Sequence, residues 1–214
     1  VQSAIVWVAA LAIVCASSLA LAQRDLRRML TFILVAEVGY MVGGVWLANT
    51  QGMTGAILHI VNDALMTLCL FLAAAAIYYR TGSLKFENLH GLFRKMPITM
   101  AVFVIGAFAM IGVPPTCGFF SKWYLILGGI EAGQWGYVGA LIFSSLVNAV
   151  LFFRIIEIAF FPKGEHGHEP IRMEEAPFMI LTPLVLTGIA LLAVGFGSGP
   201  LVSNIIRLAI PAGF

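Results

Sequence analysis

Six apolar segments, each near the length of a bilayer crossing, follow one another along this chain with only short polar breaks between them. They run from about Ile5 to Ala22, Met29 to Leu47, Thr54 to Tyr79, Ile98 to Leu127 with an interruption, Tyr137 to Phe161 and Phe178 to Phe196. Roughly 20 apolar residues cross a hydrocarbon core. Inside it every backbone polar group must be paired within the protein, so the segments are predicted to be helices. Composition closes the alternatives. Of 214 residues, 61% are hydrophobic and 10% charged, against about 25% charged in a soluble domain. Soluble globular, disordered, collagen-like and disulfide-stapled chains are excluded. Cys15, Cys69 and Cys117 lie in apolar stretches without metal-ligand spacing and read as small buried hydrophobes. A net charge of +2 gives no reason to expect nucleic acid. The expected product is an all-α membrane protein of about six transmembrane helices. Residues 1–196 form its transmembrane domain and 197–214 a short tail, interfacial or partly helical.

The basic residues suggest an orientation. Val1 stands where a methionine would begin a chain, and Ala20-Leu21-Ala22 resembles a signal-peptide cleavage site. A signal peptide carries its positive charges before the apolar run. Here Arg24, Arg27 and Arg28 follow it, so the first segment is expected to be a membrane helix with further sequence before it. The next basic groups, Arg80, Lys85, Arg94 and Lys95, follow segment three. Lys163 and Arg172 follow segment five, and Arg207 alone falls on the opposite side. The positive-inside rule makes the crowded side cytoplasmic and both termini outward, in a multi-pass protein of a prokaryotic inner membrane.

Five charged residues, Glu37, Asp63, Lys122, Arg154 and Glu157, sit inside segments, where each costs on the order of 3 kcal/mol near the bilayer centre. His59, Asp63 and Thr67 recur at i, i+4, i+8 on one face of segment three. An imidazole beside a carboxylate can relay a proton through local water, or the pair can simply hold two helices together. Segment four contains Ile111-Gly-Val-Pro-Pro-Thr-Cys-Gly118. Pro114 and Pro115 lack N–H groups and clash with the preceding turn, which predicts a helix broken in mid-membrane. Transporters place such breaks at ion sites. Lys122 follows on the second half-helix, either as a proton-loading group or snorkelling to the outer interface. Glu37, midway along segment two, lacks a partner in its own helix. It pairs with a base on a neighbouring helix or lines a wet path. Arg154 and Glu157, at i, i+3 in segment five, suggest an intrahelical ion pair. His166 and His168 lie in a glycine-rich loop at a spacing that argues for solvation rather than metal binding. No nucleotide, nucleophile, haem or iron–sulfur motif occurs, so neither cofactor nor metal is expected, nor catalysis by the chain alone.

At these residues the sequence resembles the antiporter-like subunits shared by respiratory complex I, Mrp-type cation/proton antiporters and membrane-bound hydrogenases. Gly91-Leu-Phe-Arg-Lys-Met-Pro97 and the stretch Ile111 to Tyr124 carry most of the likeness. Gln23 to Leu30, Val38-Gly-Tyr40 and His59 to Thr67 add to it. The wording of segment four is most similar to the Mrp D-type and hydrogenase branch. The resemblance implies the second of two inverted five-helix repeats plus one helix, about half of a family member. It implies that Lys122 matches the lysine of the broken helix and His59 a histidine of the central polar axis. Asp63 stands where a histidine is common, and Thr67 where many members have a lysine.

The expected function is that of a membrane subunit translocating protons or sodium ions through a half-channel along Glu37, His59, Asp63, Thr67, Lys122, Arg154 and Glu157. Its expected partners are lipid and the other membrane subunits of a complex I-like, hydrogenase or Mrp-type assembly, including a chain that supplies the first repeat. It would be enzymatic only as part of an ion-translocating oxidoreductase. The alternative is a non-conducting scaffold that docks neighbouring membrane subunits.

Overall fold

A computed structural model describes residues 1–162 and 173–210. Among the described residues five helices are long and apolar enough to cross a membrane: α1 (Gln2–Leu21), α2 (Leu26–Trp46), α3 (Thr50–Thr81), α7 (Trp135–Phe160) and α8 (Phe178–Phe196). A short α4 (Leu92–Lys95) lies in the loop after α3. The interrupted fourth segment becomes two half-helices, α5 (Pro97–Ile111) and α6 (Cys117–Glu131). Beyond α8, residues 198–209 are helical, with α9 (Ser198–Leu201), a π-helical turn (Val202–Ile206) and α10 (Arg207–Ala209). The π-turn packs Val202 and Ile206 on Leu58 of α3. Lys163, Arg172 and the His166/His168 loop lie outside the described residues.

Local chemistry sets the helix ends. Asp25 caps α2 by accepting from the Arg28 N–H at 3.1 Å. Asn49 caps α3 by accepting from the Gly52 N–H and donates to the Gly128 carbonyl, both at 2.8 Å. α3 stops at Gly82, whose φ of 68° favours glycine. Pro97 opens α5, where its missing N–H costs nothing. Gly112, at φ 91°, ends it.

Two ends of the bundle are distinguishable. Backbone pairing joins the α1–α2 loop to the stretch after α3, through Leu26 N–H to Leu84 O and Phe86 N–H to Arg24 O. Arg80 donates to the Glu175 carbonyl, so the segment before α8 meets the same end. At the opposite end Asn49 binds Gly128 and the Tyr137 hydroxyl donates to the Tyr40 carbonyl. α2, α3 and α6 meet through small residues. A Cβ at Gly55 would lie 2.7 Å from the Leu125 nitrogen, so α3 and α6 approach this closely only with glycine.

Candidate functional site

The break between α5 and α6 creates the site. In a continuous helix the Met110 carbonyl would accept from the N–H of residue 114, and that residue is a proline. The orphaned carbonyl instead accepts from Lys122 Nζ at 2.6 Å. Lys122 is one and a half turns into α6, on the side facing the bundle, and is 5% exposed. It reaches inward rather than to the outer interface. Its ammonium also lies 5.0 Å from the centroid of the Tyr40 ring.

Glu37 supplies the counter-charge. It is fully buried, and its two carboxylate oxygens face different partners. Oε1 lies 3.4 Å from Lys122 Nζ and accepts from Asn148 Nδ2 at 3.3 Å. Oε2 lies 2.8 Å from His59 Nε2. The other ring nitrogen of His59 sits 2.9 Å from Ser121 Oγ, which is itself 3.2 Å from the Gly118 carbonyl. Two proton arrangements fit these distances. Ser121 donates to a neutral imidazole, or Ser121 turns to Gly118 and accepts from an imidazolium. One hydroxyl rotation separates them. Tyr40 packs on the imidazole with ring centroids 5.3 Å apart.

The cluster draws on α2, α3, α5, α6 and α7. Asp63 lies one turn beyond His59, 5% exposed, and accepts from Thr67 Oγ1 at 3.2 Å. A second polar contact links α1 and α7 where Ser17 Oγ donates to Ser144 Oγ at 2.7 Å. Asn62 donates to the Cys117 carbonyl at the start of α6 at 2.8 Å. Three buried atoms, Tyr40 Oη, Asn62 Oδ1 and Asn148 Oδ1, have no hydrogen-bond partner among the described residues. No group of three or more metal-ligating side chains occurs among the described residues.

The structure thus gathers Glu37, His59 and Lys122, with Asp63 and Thr67 adjoining on α3. Arg154 and Glu157 do not join them. Both are exposed, and the expected ion pair between them is not formed. The Arg154 guanidinium instead lies 5.4 Å from the Phe86 ring centroid at the end of the bundle. Helical spacing puts two residues on one face without saying where that face looks. Sequence reasoning assigned no role to Asn62, Ser121 or Asn148, and marked Tyr40 only as part of a stretch that carries the family likeness. Their signal was present as isolated polar groups within apolar segments.

Residues 1–148 match the transmembrane family described as NADH:quinone oxidoreductase/Mrp antiporter. The NADH-quinone oxidoreductase subunit N of Desulforudis audaxviator is 42% identical over 216 residues, covering 96% of this chain and 43% of that protein. Among solved structures, a chain of the membrane-bound sulfane sulfur reductase, an archaeal respiratory membrane complex, is 29% identical with a TM-score of 0.87. That match covers 97% of this chain and 41% of the other. A chain of the Mrp complex from a Dietzia species superposes with a TM-score of 0.82 over 94% of this chain and 46% of its own, at 22% identity, a likeness of fold alone. This chain spans less than half the length of each of these proteins.

Proposed function

This chain belongs to the NADH:quinone oxidoreductase/Mrp antiporter family of membrane subunits, and on that premise we propose that it moves protons, or sodium ions in their place, through the buried cluster around Glu37. The observation that carries this reading is the sharing of one carboxylate between His59 and Lys122 beside a broken helix. With both carboxylates ionised, the lysine charged and the imidazole neutral, Glu37, Asp63, His59 and Lys122 sum to −1. In surroundings of low dielectric that deficit favours uptake of one cation. A proton arriving at His59 fills it. Glu37 then has a cation on each oxygen and holds Lys122 less firmly, so the next proton leaves from the lysine. Release leaves Lys122 neutral; the proton held on His59 passes to it by way of the Glu37 carboxylate between them, and the emptied imidazole then takes the following proton. The unpartnered oxygens of Tyr40, Asn62 and Asn148 are suited to binding the water that connects these steps.

In this proposal the basic loops face the cytoplasm of a prokaryotic cell and both ends of the chain face outward. The chain works beside the other membrane subunits of a complex I-like, hydrogenase or Mrp-type assembly, with a first repeat supplied next to it. Residues 1–196 act as the transmembrane unit. Arg154 and Glu157 are left outside the path.

The test is ion translocation by the intact assembly in proteoliposomes. Lys122→Ala is expected to reduce it severely while the assembly still purifies, and Asp63→Asn to reduce it in part. Unchanged pumping by Lys122→Ala would remove the lysine from the path. Unchanged pumping by both variants would leave the scaffold reading.

A further inference from the structure

Arg154 has no part in the buried cluster, yet its position is specific. It lines a cavity of about 550 Å³ at the end of the bundle where the α1–α2 loop and the stretch after α3 pair. Five basic residues line this cavity: Arg24, Arg27, Arg28, Lys85 and Arg154. Asp25 and Glu87 are its acids, and Asp25 is engaged in capping α2. The formal balance is therefore three positive charges in excess. Among the described residues none of the five bases lies within salt-bridge distance of a carboxylate, because both ion pairs found involve Glu37. Like charges crowded into a concavity repel one another, so the site is poised for an anion.

The surroundings indicate what kind. Arg154 shares its helical face with Leu146, Val150 and Phe153, all more than half exposed. That stripe leads along α7 to Arg154 at the cavity, with the exposed Glu157 one turn further on the same face. Phe86 presents its ring beneath the guanidinium. A basic concavity continuous with an apolar lane has the polarity of a phospholipid, phosphate at one end and acyl chains at the other. The backbone pairs Leu26–Leu84 and Phe86–Arg24 hold the two basic segments together, so the concavity is built before a ligand arrives.

We propose that this cavity binds the phosphate headgroup of an anionic phospholipid, whose acyl chains lie along α7. The site is separate from the ion path, and its occupancy fastens the basic end of the bundle to one leaflet. Arginine forks suit phosphate oxygens bidentately.

The test uses the full chain purified with its native assembly in neutral detergent and stripped of lipid. It is titrated with short-chain phosphatidylglycerol, with phosphatidylcholine of the same chain length, or with sodium phosphate. Bound lipid is counted by native mass spectrometry. Phosphatidylglycerol is expected to bind this chain in preference to phosphatidylcholine, and excess inorganic phosphate to displace it poorly. The double substitution Arg27→Gln with Arg154→Gln should weaken phosphatidylglycerol binding about thirtyfold, from roughly fivefold per basic group. Glu87→Gln should strengthen it, and this arm decides the matter if the double variant does not fold. Equal binding of the two lipids, or variants that leave phosphatidylglycerol binding unchanged, would overturn the proposal. Full displacement by equimolar inorganic phosphate would make this a free-anion site and overturn the lipid assignment.

Discussion

Glu37 is the residue on which the buried cluster depends. Its carboxylate is fully buried and stands between Lys122 and His59. Removing one member of a buried ion pair strands the other charge, at a cost of about 3–5 kcal/mol. Glu37→Gln is therefore expected to lower the unfolding midpoint of the assembly in detergent, since the lysine keeps only the Met110 carbonyl and the Tyr40 ring. Adding Lys122→Met to Glu37→Gln should restore much of that loss, because no unpaired charge is left. Transport should stay abolished in the double variant. Stability and transport would then separate in a double-mutant cycle. Additive destabilisation in that cycle would mean that the two side chains do not interact.

At the scale of elements, the broken helix and the glycine contacts govern the geometry. α5 begins under a cap from far along the chain. The Glu175 carboxylate accepts from the Ile98 N–H at 2.6 Å, the Thr99 N–H at 3.3 Å and the Thr99 hydroxyl at 2.7 Å. Glu175→Ala should cost about 1–2 kcal/mol, as loss of a helix cap does, read as a lower unfolding midpoint with transport retained. Close approach of α3 and α6 brings His59 to Ser121. Gly55→Val should push these helices apart and cost about 1–3 kcal/mol by overpacking. Gly139→Val is its control. Apart from its own helix backbone, no atom of the described residues lies within 4 Å of the added Cβ at Gly139, and that variant should match the parent protein in midpoint and transport.

For the whole molecule, the two ends of the bundle define a topology that accessibility can check. Lys85→Cys lies among the basic loops and Gln134→Cys in the turn before α7. A membrane-impermeant maleimide should label the first only from the cytoplasmic side and the second only from outside. Labelling of both from one side would invert or break the proposed topology. Cys69 and Cys117 are buried, as expected, and should stay unlabelled in either case. Cys15 is not buried but lies exposed on α1, because an apolar residue of a membrane helix can face outward as well as inward, and both variants therefore carry Cys15→Ser.

Apolar runs and basic loops were sufficient for the six-segment plan, the helix break at Pro114-Pro115 and the segregation of charge. The reason is that each depends on chemistry local to the chain. Hydrocarbon demands internally paired backbone wherever a run is apolar, and a proline removes an N–H whatever lies nearby. The family resemblance was legible in the same local motifs, Lys122 and His59 among them. The partners of Glu37 were not. Pairing with a basic neighbour and a place in a wet path looked equal until α2, α3 and α6 were packed together. The destination of Arg154 was hidden for the same reason, since i, i+3 spacing with Glu157 fixes a shared face and not its direction. Which side chains meet depends on the rotation and depth of each helix in the bundle. Those are set by close contacts between distant residues such as Gly55 against Leu125, and by the packing that brings Lys122 within 2.6 Å of the Met110 carbonyl.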